Sequence, residues 1–103
     1  MAVDIDNIEQ YKSAIEVTGD LSKGQKDILK YIISFDQKKG VTTDIIQRIA
    51  GISRQAASVH LQRLMKMDFV FREKKRIYKY FANQQKLSEI LEEYLAIQNL
   101  KNK

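Results

Sequence analysis

Apolar residues recur every three or four positions along most of the chain, which is the spacing of helices with one buried face. In residues 4 to 16 they are set among acidic and polar residues, and Gly19 follows the stripe. We therefore predict a short amphipathic helix that ends near Gly19. Its apolar positions are Ile5, Ile8, Tyr11 and Ile15.

Two residues just before the next stripe predict where a second helix begins. Ser22 precedes Gln25 by three positions, the spacing at which each side chain hydrogen-bonds the backbone N–H of the other in a capping box. The helix that follows is predicted to bury one apolar face. That face contains Ile28, Leu29, Ile32, Ile33 and Phe35.

Two further helices are predicted with a tight turn between them. Val41 is too short for more than a minimal strand, and Thr42 and Thr43 after it are candidate N-caps. The helix that they open ends at Gly51, a residue suited to the left-handed C-terminal position, and Ser53 caps the next helix at once. A turn of about three residues between two helices is typical of a helix-turn-helix.

The helix predicted at residues 54 to about 67 has two different faces when successive residues are placed about 100° apart. Its inner face contains Ala57, Leu61, Leu64 and Asp68, with His60 at the margin. Its outer face lacks acidic residues and carries amide and hydroxyl groups, which can hydrogen-bond to base edges in a DNA major groove. Arg54, in the first turn, can contact bases in the same way. The outer residues are Gln55, Ser58, Val59, Gln62 and Lys66.

A basic β-hairpin is predicted next. Residues 69–72 and 77–81 are aromatic and β-branched, as strands prefer, and a charged connector of hairpin size separates them. Tyr78, Tyr80 and Phe81 are interpreted as sheet and core aromatics. Positive charges crowded on a hairpin repel one another unless an anion lies nearby, so we predict that they bind phosphates. The basic residues are Arg72, Lys74, Lys75, Arg76 and Lys79.

The last predicted helix, residues 84 to 103, has Ser88 near its start and frays from Gln98 onward. Together with the first helix it presents more apolar surface than a domain of this size readily covers within one chain. We therefore predict a homodimer, in which two-fold symmetry places the two copies of the helix at residues 54 to 67, the recognition helix, about one DNA turn apart. The predicted interface residues are Ile5, Ile8, Tyr11, Ile15, Leu87, Ile90, Leu91, Tyr94 and Leu95.

Length and composition favour one domain over residues 1–103, with a terminal helix (1–20), a core (21–83) and a second terminal helix (84–103). The net charge of +5 is unevenly placed. Residues 1–20 hold one lysine against five acids, whereas residues 21–84 hold fourteen basic residues against five acids. A positive centre of this kind suits a polyanion such as DNA.

Several function classes lack the residues that they need. The chain has no cysteine and a single histidine, His60, so we expect no metal site, no cofactor and no thiol chemistry. No glycine-rich phosphate loop and no nucleophile with a paired base are visible, so we expect no enzyme. No apolar run approaches the roughly 18 residues of a membrane span, so we expect a cytoplasmic protein without a membrane partner.

The segment IIQRIAGISRQAASVHLQRLMKMDFVFREKKRIYKYF, residues 45 to 81, resembles the winged helix-turn-helix regulators of the MarR-like and ArsR-like type. The resemblance implies a mainly α fold with a small β-hairpin (α+β) and dimerisation through terminal helices. The chain differs from ArsR-like proteins because it lacks metal-sensing cysteines, and from MarR-like proteins because it is shorter. By position, the resemblance implies DNA contacts from the helix at Ser53, Arg54, Gln55, Ser58, Val59 and Gln62. The β-hairpin corresponds to the wing of this fold, and the resemblance implies that it contacts phosphates and the minor groove through Lys74, Lys75 and Arg76.

Three hypotheses for function follow. The first is a transcriptional regulator, specifically a repressor, that binds an inverted repeat in double-stranded DNA as a homodimer. The second is a centromere-binding adaptor of plasmid partition, which would also bind a second protein. The third is a protein-binding winged helix that does not touch DNA. Composition does not separate the first two.

Overall fold

Five helices and one antiparallel β-hairpin make up residues 8–35, 38–74 and 76–101, the part of the chain that the computed structural model describes. This architecture confirms the predicted α+β fold of a helix-turn-helix followed by a hairpin. The elements, in chain order, are α1 (Ile8–Val17), α2 (Lys23–Ser34), α3 (Thr43–Ala50), α4 (Arg54–Lys66), β1 (Val70–Lys74), β2 (Tyr78–Ala82) and α5 (Gln84–Lys101).

The predicted capping box at the start of α2 is confirmed. The backbone N–H of Gln25 donates to the Ser22 hydroxyl at 3.3 Å, and the backbone N–H of Ser22 donates to Gln25 Oε1 at 3.0 Å. At α3, Thr42 is the cap, because its hydroxyl accepts from the N–H of Ile45 at 3.3 Å. Both caps satisfy N–H groups that a helix leaves unpaired in its first turn.

The turn between α3 and α4 sets the direction of α4. Gly51 has φ 66° and ψ 37°, the left-handed conformation that ends α3, and its N–H donates to the carbonyl of Gln47 at 2.9 Å. The Ser53 hydroxyl then accepts from the N–H of Ala56 at 3.1 Å, which starts α4. Two local signals two residues apart therefore build the turn of the helix-turn-helix.

The buried face of α4 consists of Ala57, Leu61 and Leu64, all fully buried, as predicted. Asp68 does not belong to that face. The helix ends at Lys66, and Asp68 lies beyond it, exposed and with φ 65°, so a helical projection does not extend to it. This left-handed residue turns the chain so that Phe69 enters the core with no exposed surface.

The hairpin is anchored to the helices through one of its faces. Val70, Tyr80 and Ala82 are buried, because alternate residues of a strand point to the same side. Val41 pairs with Tyr80 through two backbone hydrogen bonds of 2.9 and 2.8 Å, which confirms the minimal strand predicted before α3. This bridge ties the start of the helix-turn-helix to the hairpin.

The terminal helices pack against each other within one chain. Tyr11, Ile15, Leu87 and Ile90 are buried there, and Gln84 Nε2 donates to the Tyr11 hydroxyl at 2.9 Å. These four predicted interface residues are therefore covered within one chain, because α1 lies against both α5 and α2, and they leave little surface for a second copy. Ile5 lies outside the described residues.

Helix α5 begins at Gln84, as predicted, and differs from its prediction at its other end. Asn83 caps it, because Asn83 Oδ1 accepts from the N–H groups of Gln85 at 3.1 Å and Lys86 at 3.5 Å. At its other end the helix continues to Lys101 instead of fraying from Gln98. No helix in the described ranges is long and apolar enough to cross a membrane.

Polar contacts also hold α1 to α2. Lys26 Nζ donates to the carbonyl of Glu16 at 2.7 Å, and Lys30 forms a hydrogen bond and ion pair with the Glu16 carboxylate. The hydrogen bond from Lys30, and then its positive charge, lower the pKa of Glu16 from the ordinary value of a glutamate. These contacts lie on the surface and keep the acidic end of α1 beside a basic helix.

Candidate nucleic-acid interface

Most of the outer face of α4 is open to solvent. Gln55, Gln62 and Lys66 are exposed, Val59 is 46% exposed and Ser58 is half-buried. The side chains predicted to read bases therefore lie on the surface, opposite the buried stripe. Arg63, which was not predicted on this face, is exposed as well and adds a second positive charge near Lys66.

A groove runs between the starts of α3 and α4 and the hairpin. It brings Arg54, from α4, together with Lys74 and Arg76, from the hairpin. Ser53 lies exposed beside it, where its hydroxyl caps α4. The residues that line the groove are Thr42, Thr43, Asp44, Arg54, Lys74, Arg76, Ile77 and Tyr78.

An exposed ion pair crosses the two helices at the rim of this groove. Arg54 Nη1 lies 3.5 Å from Asp44 Oδ1, and the two side chains are 75% and 65% exposed. Asp44 stands in the first turn of α3, where a negative charge interacts favourably with the helix dipole. The guanidinium of Arg54, although mostly exposed, is thus paired with a neighbour through one of its nitrogens.

The basic residues of the hairpin divide between its two faces. Arg72 and Lys74 lie on one face of β1, with the Arg72 guanidinium 4.0 Å and Lys74 Nζ 5.3 Å from the centre of the Tyr78 ring. Tyr78 is thus a platform that orders both cations on the face that borders the groove. Lys79 pairs across the strands with Glu73 and lies on the other face. Lys75 lies outside the described residues.

The other face of the hairpin is aromatic as well as basic. Phe71 is 46% exposed and stacks on Phe81, with ring centres 5.3 Å apart. Gly40 has φ 73°, and a Cβ there would come within 2.7 Å of the Phe81 ring, so this close approach requires glycine. Lys38, Lys39, Glu73, Lys79 and Phe81 line the shallow surface here. Tyr80 is a core aromatic, as predicted, whereas Tyr78 is 40% exposed.

His60 packs against the start of α2, at the edge of the core where it was predicted. Its ring lies so close to Gly24 that a Cβ there would approach it to 2.9 Å. The Nδ1 atom is buried without a hydrogen-bond partner. Within residues 8–35, 38–74 and 76–101, no three histidine or acidic side chains come together as a metal site would need.

Part of the predicted dimer surface stays exposed on α5. Leu91 and Tyr94 are half-buried and Leu95 is 38% exposed, while Ile8 on α1 is half-buried. Three exposed apolar residues that were not predicted as interface residues lie on the same two helices: Val17, Ile97 and Leu100. Of the predicted interface residues that the structure describes, those that remain available to a second copy are Ile8, Leu91, Tyr94 and Leu95.

The sequence does not reveal the contribution of α3 to the groove. Its pattern predicts Thr42 and Thr43 only as capping residues and does not distinguish Asp44, yet all three line the groove. Their spacing along the chain signals only the start of a helix. Their place beside Arg54 and the hairpin follows from the Val41–Tyr80 bridge, which joins residues 39 positions apart.

Comparison with known proteins places this fold among solved structures. No family model and no curated protein sequence matches the chain. MepR of Staphylococcus aureus, a transcription regulator of the multidrug efflux pump MepA, superposes with a TM-score of 0.65 at 15% identity, over 97% of this chain and 80% of that one. A structure of the S. aureus MepR–DNA complex superposes with a TM-score of 0.59 at 16% identity, over 95% of this chain and 77% of that one. The ST1889 protein of Sulfolobus tokodaii superposes with a TM-score of 0.58 at 16% identity, over 95% of this chain and 96% of that one. At these identities the likeness shows a shared winged-helix fold.

Proposed function

We propose that this protein is a transcriptional regulator, acting as a repressor, that binds an inverted repeat in double-stranded DNA as a homodimer. One observation carries the proposal: Arg54 at the start of α4 lines the same groove as Lys74 and Arg76 of the hairpin. A helix end and a wing that converge on one groove can hold a phosphate backbone while the helix enters the major groove. The fold shared with MepR, which has been solved in complex with DNA, supports the proposal.

The two parts of this surface have different tasks. The outer face of α4 carries the amide groups of Gln55 and Gln62, which suit adenine, and Arg54, which suits guanine. The hairpin carries point charges that bind phosphates of any sequence and release counterions. Specificity therefore depends on α4, and most of the electrostatic affinity depends on the hairpin.

A second copy completes the proposed site. A single α4 has few base-reading side chains, so one half-site gives modest discrimination. The exposed apolar surface of α5, with Leu95, Ile97 and Leu100, is the surface that we propose for the two-fold contact. Two copies of α4 about one DNA turn apart would then read an inverted repeat.

The test of this function is selection of bound duplexes from a random-sequence library, followed by binding measurements at several salt concentrations. The expected result is an enriched inverted repeat whose half-sites are about 10 base pairs apart, with an affinity that falls steeply with salt. Failure to bind any duplex would contradict DNA binding and favour a protein-binding winged helix. An enriched site without two-fold symmetry would contradict the symmetric dimer.

Arg54→Ala is expected to flatten the base preference at one position of each half-site, at a cost of about 1 to 3 kcal/mol for the selected site. The reason is that Arg54 is the arginine of α4 that lines the groove. Arg48→Ala is the matched control, because Arg48 is exposed on α3 and does not line the groove. Repeating the selection with both variants checks this prediction, and an unchanged sequence profile for Arg54→Ala would remove it from the base-reading residues.

Light scattering at micromolar concentration is expected to give twice the 12.0 kDa mass of one chain. Leu95→Glu places a charge in the proposed interface and is expected to shift the mass toward the monomer. Gln85→Glu introduces the same side chain at an exposed polar position of the same helix, ten positions before Leu95, and is expected to leave the dimer intact. A monomeric wild-type protein, or equal dissociation by both variants, would count against the α5 interface.

A further inference from the structure

We propose that Asp44 is a specificity-determining residue of the DNA-binding groove, which acts by positioning Arg54. Its carboxylate holds the guanidinium at the groove rim, turned toward base edges and withheld from the phosphates of arbitrary sequences. This inference rests on the proposed function. It adds a residue of α3, outside the recognition helix and the hairpin, to the residues that determine which sequences are bound.

The position of Asp44 is unusual for a surface that binds a polyanion. Asp44 is the acid among the described residues that line the groove, which Arg54, Lys74 and Arg76 also line. A carboxylate there repels every phosphate that approaches the groove, so it weakens binding to all duplexes. A carboxylate that lowers the affinity for every duplex is expected to have a compensating effect on binding.

Stability accounts for only part of this placement. The Asp44–Arg54 pair is mostly exposed, and exposed ion pairs contribute little to folding. The first turn of α3 favours an acid through the helix dipole, but Thr42 already caps the helix, and the dipole does not require an arginine partner. The pairing with Arg54 is the feature that the dipole leaves unexplained.

The geometry explains how the pair can raise discrimination. Asp44 engages the Nη1 side of the guanidinium at 3.5 Å, and the other N–H groups of Arg54 remain available. A guanidinium held in this way can donate two bonds to guanine with little further ordering. A phosphate that lies outside this direction draws the guanidinium away from Asp44, so non-specific complexes lose the ion pair whereas the specific complex can keep it.

The experiment compares two duplexes of equal length and composition, the selected site and a scrambled site, with wild type and Asp44→Asn. Asparagine keeps the size of the side chain and removes its charge. We expect binding to the scrambled duplex to tighten about fivefold, as expected for removing one like charge near a phosphate. Binding to the selected site is expected to change much less, so that the ratio of the two dissociation constants falls severalfold.

Two further variants separate positioning from simple repulsion. Glu73→Gln removes the same charge from the face of the hairpin away from the groove, and we expect it to leave the ratio unchanged. In an Arg54→Ala background, Asp44→Asn is expected to have no effect on the ratio, because Asp44 acts through Arg54. Thermal unfolding of each variant confirms that it is folded before binding is measured.

The outcomes distinguish this inference from the proposed function. If wild type prefers its selected site but Asp44→Asn tightens binding to both duplexes by the same factor, Asp44 only repels phosphates and the inference is overturned. An effect of Asp44→Asn on the ratio that persists without Arg54 also overturns it. If wild type binds no duplex at all, the proposed function fails first.

Discussion

Replacing Arg72, Lys74 and Arg76 together by alanine is expected to weaken binding to every duplex, by about a hundredfold for each hairpin that contacts DNA. Each lost contact between a cation and a phosphate costs about 1 kcal/mol at the solvent-exposed surface. Because three counterion-releasing contacts disappear, the slope of log affinity against log salt is expected to fall by about three for each hairpin. Titrations at four or more salt concentrations measure both quantities.

The chain offers a control with the same change in charge. Lys38, Lys39 and Lys79 are also basic, but they lie on the opposite face of the hairpin, around Phe81. Their triple alanine variant is expected to retain most of the affinity and most of the salt slope. If this control loses as much affinity as the first variant, the DNA contacts the wrong face for our proposal. The comparison also decides whether Lys79, predicted from sequence as a DNA contact, is one.

Phe69→Ala is expected to lower the free energy of unfolding by about 3 to 5 kcal/mol, the usual range for removing a fully buried aromatic ring. Phe69 has no exposed surface and is the largest fully buried side chain of the described core. It lies between α4 and β1, where its N–H donates to Leu64 and its carbonyl accepts from Asn83. A domain of this size has only about 5 to 15 kcal/mol in total, so much of the stability would be lost.

Urea denaturation of wild type and variant measures this change. Phe71→Ala is the matched control, because Phe71 is two residues away, stacks on Phe81 and remains 46% exposed. We expect it to cost about 1 kcal/mol, mostly from the lost ring contact. Equal losses in the two variants would show that Phe69 is less central to the core than its burial indicates.

Local signals predicted the helix boundaries well. The capping box of Ser22 and Gln25, the left-handed Gly51 and the N-cap Ser53 depend only on residues within a few positions of one another. The buried stripe of α4 followed from helical periodicity for the same reason. Asp68 was misplaced because periodicity does not report where a helix ends, and the end here depends on Phe69 entering the core.

Contacts between residues far apart in the chain explain most of the features that the sequence did not predict. The apolar stripes of the terminal helices are visible in the sequence, but the sequence does not say whether α1 and α5 cover each other or a second chain. The two faces of the hairpin depend on the register that pairs Lys74 with Tyr78 and Glu73 with Lys79. The sequence therefore shows the basic residues of the hairpin as one cluster, although they lie on two opposite faces.

The sequence by itself determined the order of the helices, the turn before Ser53 and the acid-free outer face of α4, because each depends on contacts between near neighbours. Only the tertiary structure decided that Arg54 shares a groove with the hairpin and an ion pair with Asp44. That arrangement requires the Val41–Tyr80 bridge and the burial of Phe69 to dock distant elements. Local preference can start a helix, but only packing between distant residues can place two of them around one groove.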